Sequence, residues 1–197
     1  SEMLFVHRST GTRTDLAAIQ AAGKIAAANS KDDQPEPKLL REGLAKLIVG
    51  TLDAEDKKGA AQNREVVLLG ITAVLRTKPE GGDVVAAKFL ASGDARVRAD
   101  AANTLSRLRS KIANDTLRKM LASDADPIAR ANAARALGSA EDKDAFDILL
   151  RAAASDADSR VRISAIRSLG ARPSMTSVVA GLPRSWQTAP SMIAICC

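Results

Sequence analysis

Apolar residues recur along this chain every three or four positions and are separated by short polar breaks, the spacing of one face of a helix. The clearest stripe is Val97, Ala101, Ala102, Leu105 and Leu108, which predicts a helix over 95–108. The pattern returns twice. Asp94-Ala-Arg-Val-Arg98 leading to Ala101-Ala102 and Leu105 aligns with Asp126-Pro-Ile-Ala-Arg130 leading to Ala133-Ala134 and Leu137-Gly138. Both align with Asp158-Ser-Arg-Val-Arg162 leading to Ala165-Ile166 and Leu169-Gly170. Every matched column is offset by about 32 residues, so further helices are expected over 127–138 and 159–170.

Each copy carries a start signal. Asp94, Asp126 and Asp158 stand where a side-chain acceptor would satisfy the first amides of a helix, and Pro127 falls where a missing N–H costs nothing. Gly138 and Gly170 fall near the helix ends, where a glycine with positive φ is expected to end the helix. Partner helices are expected near 83–91 (Val84, Val85, Phe89, Leu90), 113–122 (Ala113, Leu117, Met120, Leu121) and 143–154 (Phe146, Ile148, Leu149, Leu150). Each pair makes a hairpin that cannot bury its stripe alone, so neighbours must stack.

The D-x-x-V-R-x-x-A-A-x-x-L-G pattern resembles the second helix of short HEAT repeats, of the kind found in phycobilisome-lyase-type and other bacterial HEAT proteins. The resemblance covers about residues 83–172. Ankyrin and tetratricopeptide signatures are absent. Residues 64–172 are also similar to HEAT regions that adjoin cyclophilin-type prolyl isomerases. Residues 1–197 hold no isomerase domain, so the resemblance implies no activity for them. The resemblance implies an all-α, armadillo-like α-α superhelix, a solenoid of antiparallel hairpins with a period of about 32.

Upstream the pattern is irregular. Thr14 to Ala28 (Leu16, Ile19, Ala22, Ile25, Ala26) reads as a helix. Residues 31–37 read as a proline-broken connection, Lys38 to Leu52 as a helix, Asp53 to Gly59 as a charged loop, and Asn63 to Leu75 as a deeply placed helix. The expected organisation is a disordered or vector-derived terminus over 1–12 and a solenoid over 13–172, irregular to 82 and regular from 83. An irregular tail, broken by Pro173, Pro183 and Pro190, follows over 173–197. Ser1-Glu2-Met3 looks vector-derived, which leaves room for a removed leader.

Composition agrees with thin helical layers. Apolar residues make up 46% of the chain but aromatics only 2%, and stacked Ala-rich hairpins need few large side chains. Net charge is +6, a mild excess for a nucleic-acid binder, and most of it falls in 94–172. Cys196 and Cys197 end the chain, and His7 is the single histidine. No histidine triad, histidine-rich metal site or disulfide framework can be assembled from that set. Gly81-Gly82 lacks the rest of a phosphate loop. No cofactor, metal or catalytic residue is therefore expected. No apolar run reaches membrane-spanning length. The compartment is not fixed, with the cytoplasm mildly favoured, and neither is the oligomeric state.

Two residue sets remain as candidates. Asp94, Arg98, Asp126, Arg130, Asp158 and Arg162 form a repeating column, expected to tie each Arg to an Asp in its own or a neighbouring turn and so join repeats. In HEAT stacks the second helix lines the concave face. The resemblance therefore implies an exposed set there comprising Arg96, Asp100, Asn103, Arg107, Ile128, Asn132, Arg135, Arg160 and Arg167, with Ser164, Ser139 and Ala171 in the same columns. Five Arg against one Asp would suit an acidic partner. The expected function is a non-catalytic scaffold that binds a protein or peptide. The alternatives are a nucleic-acid-binding HEAT protein that places these Arg residues on phosphates, and an accessory domain of a larger lyase or isomerase. The lack of Tyr argues against base stacking.

Overall fold

The computed structural model describes residues 35–171, together with Ala17, Gln20, Ala21, Lys24 and Ile25, all five helical and exposed. The expected terminus over 1–12 and tail over 173–197 lie outside the described residues, as does most of the first expected helix. The fold is all-α: helix accounts for 81% of it, against roughly a third in an average domain, and no strand occurs among the described residues.

The helices are α1 (Pro35–Lys57), α2 (Arg64–Thr77), α3 (Gly82–Lys88), α4 (Ala95–Leu108), α5 (Asn114–Ser123), α6 (Pro127–Ser139), α7 (Phe146–Ser155) and α8 (Ser159–Gly170), with 3-10 turns at 59–61, 89–91 and 143–145. The chain forms two compact units, residues 1–104 and 105–197.

In the first unit, α1 packs on α2 and α3 around Ile48, Leu52, Val67, Ile71, Val74, Val85 and Phe89. A Cβ on Gly70 would stand 2.6 Å from Leu52 Cδ2, so glycine sets how closely α1 and α2 approach. Helix α1 departs from expectation at both ends. It begins at Pro35, because proline is tolerated in a first turn. It also runs through Asp53–Lys57, the expected charged loop. There Glu55 is buried and accepts from Lys58 Nζ and from the Asn63 amide, each at 2.6 Å. These bonds tie the end of α1 to the start of α2, where Asn63 Oδ1 in turn accepts from the amides of Glu65 and Val66.

In the second unit, α5 packs on α6 and α7 on α8, and the second helices α6 and α8 lie directly against one another. Leu105, Leu117, Leu121, Leu137, Leu149, Val161, Ala165 and Leu169 are buried there, whereas Leu108 is only half-buried. The glycine expectation fails. Neither Gly138 nor Gly170 has positive φ. The left-handed positions are Arg109 (φ 53°) and Glu141 (φ 55°), each beyond a helix end. Amides one residue further on bond back five residues, Ser110 to the Leu105 carbonyl and Asp142 to the Leu137 carbonyl, at 3.2 and 3.1 Å. This is a six-to-one helix termination that carries a charged residue where glycine is usual.

Candidate interaction surface

The Asp column caps helices. Asp94 Oδ1 accepts from the Arg96 amide at 2.8 Å, Asp126 Oδ1 from Ala129 at 2.8 Å and Asp158 Oδ1 from Arg160 at 2.8 Å. The Arg column makes one contact three times, with loop carbonyls. Arg98 Nη1 donates to Ser92 and Gly93 at 2.9 and 3.2 Å. Arg130 Nη1 donates to Asp124 and Ala125 at 2.8 and 3.3 Å, and Arg162 Nη1 to Asp156 and Ala157 at 2.7 and 2.9 Å. Each guanidinium thus pins the loop that precedes its own helix. Arg130 also reaches into the following repeat, through a two-pronged bridge to Asp156 with both distances 2.9 Å.

Of the expected exposed set, the structure keeps part. On α6 only Ile128 and Arg135 are exposed, seven residues apart on one side; on α8 Arg160 and Arg167 are exposed at the equivalent positions. Arg107 is exposed at the end of α4, where Ser106 and Ser139 hydroxyls meet at 3.1 Å. Asn132 is a correction: it is buried, as is Ser164, because α6 and α8 pack more closely than a count from the apolar stripe implies. Asn132 Oδ1 accepts from Arg135 and so steadies that side chain. In the first unit Arg96 is exposed, and it pairs with half-buried Asp100 at 2.9 Å; Asn103 is half-buried.

Residues 83–179 match the family described as HEAT repeats. This part of the chain belongs to the HEAT-repeat family. No curated protein matches the chain. HEAT repeats generally serve as scaffolds and protein-interaction modules, and the family is typically non-catalytic.

The electrostatics of these HEAT repeats separate tied from available cations. Arg160 bridges Asp158 through two contacts at 3.0 and 2.7 Å, and its hydrogen bond is the main reason the Asp158 carboxyl falls to about 2. Arg130 holds the Asp156 carboxyl below its ordinary range in the same way. Arg118 on α5 reaches Asp115 on its own helix and buried Asp142 of the next hairpin. Arg107 and Arg167, by contrast, have no acidic partner among the described residues. Three or more His, Cys, Asp or Glu in metal-binding proximity do not occur among the described residues, and no described helix is long and apolar enough to cross a membrane.

Sequence reasoning missed the Arg118–Asp142 clasp and the loop turns before each second helix. Those turns repeat: the Asp94 amide donates to Ser92 Oγ, Asp126 to Asp124 and Asp158 to Asp156, at 3.3, 2.9 and 2.9 Å. The signal was present as Ser/Asp-x-Asp, a side chain that closes on the amide two residues on. The Arg118 clasp has no counterpart in the repeat columns, since the equivalent position 150 is Leu.

Proposed function

We propose that this chain is a non-catalytic interaction module that holds a protein or peptide on the exposed sides of its second helices. One observation carries the reading. Ile128 and Arg135 are the exposed residues of α6, and Arg160 and Arg167 are exposed at the equivalent positions of the adjacent α8, which also exposes Ser159, Ile163 and Gly170. An apolar side chain among arginines suits a protein partner with an acidic surface, because Arg supplies both charge and packing area at interfaces. A strip meant only for phosphates gains nothing from isoleucine.

The test is photo-crosslinking from positions 128 and 135 in cells of the source organism, with and without nuclease, beside titration of a short DNA duplex. The expected result is protein adducts that survive nuclease, and weak duplex binding. Adducts that vanish with nuclease, together with duplex affinity that falls steeply with salt and is lost in Arg135→Glu/Arg167→Glu, would transfer the surface to nucleic acid.

A further inference from the structure

We infer that the open side of α8 seats an amphipathic, acidic helix of a partner protein, in the place where a next repeat would pack. The inference rests on the protein-binding reading above and names the partner's chemistry. Repeat equivalence supplies the argument. Helix α6 meets α8 at Ala134 and Gly138, with buried Ala131 in line three residues before Ala134. Ser168 Oγ of α8 donates to the Ala134 carbonyl at 2.9 Å, and a Cβ on Gly138 would lie 2.9 Å from Ser168 Cα. The same positions one repeat later are Ile163, Ile166 and Gly170.

These positions are open. Ala131 is 4% exposed, whereas Ile163 is 47% exposed; Ile166 is half-buried; and a Cβ on Gly170 would meet nothing within 4 Å. The column also gains bulk, from alanine to isoleucine twice. Two apolar side chains and a glycine in line, spaced i, i+3 and i+7, make a seat for a helix ridge.

Charge selects the occupant. Arg167 stands at i+4 from Ile163 on the same exposed arc and has no acidic partner among the described residues; Arg160, at i−3, is paired with Asp158, and residues 159–171 contain no Asp or Glu. A helix with apolar residues on one stripe and carboxylates at its edges complements this side. Residues 172–197 also contain no Asp or Glu, so the chain's own remainder does not provide the acids.

The experiment titrates the full chain with a labelled 21-residue helix-forming peptide of Leu, Ala and Glu, with Leu on one stripe and Glu at its edges, and with a twin in which Lys replaces every Glu. Fluorescence anisotropy is the readout. The Glu peptide is expected to bind and its Lys twin not to. Ile163→Asp should weaken binding about tenfold or more, the size of an interface hot spot. Arg167→Glu should do the same and let the Lys twin bind. Equal binding of the twins, no binding of the Glu peptide, or an unchanged affinity in Ile163→Asp would overturn the inference. If instead Ile128→Asp and Arg135→Glu weaken the Glu peptide while Ile163→Asp does not, the module binds protein but the seat on α8 is wrong. Light scattering that shows a dimer abolished by Ile163→Asp would make a second copy the occupant. Binding seen only after deletion of residues 173–197 would make the chain's own tail the occupant. Either result overturns the assignment to a partner.

Discussion

Gly138 of α6 and Ser168 of α8 are in backbone-level contact: a Cβ at 138 would stand 2.9 Å from Ser168 Cα, while Ser168 Oγ reaches the Ala134 carbonyl at 2.9 Å. This contact, not chain termination, explains the glycine. Gly138→Ala gains up to about 1 kcal/mol of helix propensity but forces the two helices apart, an overpacking cost of about 1–3 kcal/mol. The neighbour is backbone and cannot rotate away, so net destabilisation is expected. Gly170→Ala is the control, since nothing lies within 4 Å of its Cβ; it should leave stability unchanged or raise it slightly. Denaturant midpoints for the two variants check this. Equal effects would show that packing at 138 is not what selects glycine.

Leu137 is fully buried in the second unit, between the hairpins that α5–α6 and α7–α8 form. Leu137→Ala is expected to cost about 2–5 kcal/mol through lost transfer energy and a residual cavity. Coupling in stacked repeats is mainly nearest-neighbour. Hydrogen exchange should therefore quicken over 114–170 while α2, at 64–77, keeps its protection. Uniform loss along the described chain would show one cooperative block instead.

The fold was legible because the repeat encodes it redundantly. Asp126, Pro127, Ala133, Ala134 and Leu137 each specify the same helix by a different mechanism, so a miss at one column leaves the others intact. Helix ends were less legible: Arg109 and Glu141 take a left-handed backbone that composition does not announce, and Gly138 is expected in that role from sequence when its own reason is Ser168, on the next second helix. The exposed surface was half legible. Counting from the apolar stripe leaves Ile128, Arg135, Arg160 and Arg167 exposed, and exposed they are. It also leaves Asn132 exposed, wrongly, because a stripe count describes packing within a hairpin and not the contact between successive second helices.

Acid should weaken the fold through the loop carboxylates, and the direction follows from their partners. Asp158 falls to about 2 chiefly through its hydrogen bond to Arg160. Asp156 is lowered chiefly by Arg130 and Asp94 chiefly by Arg64. A carboxyl whose folded value is depressed contributes stability that is fully present above its unfolded value, near 3.9. That contribution is lost as pH falls toward the folded value. Stability should thus be level above about pH 5 and decline between about pH 4 and pH 2. The mostly buried Arg130–Asp156 bridge, with side chains 16% and 10% exposed, is less screened than its exposed neighbours. Arg130→Met should lower stability near pH 6, since it leaves the half-buried Asp156 carboxylate without its cation. It should also flatten the decline from pH 4 to pH 2, because Asp156 then has less to lose on protonation. Urea unfolding of both proteins across that range measures this. Parallel curves would show that Arg130 acts through the Asp124 and Ala125 carbonyls alone and that the bridge to Asp156 carries none of the acid sensitivity.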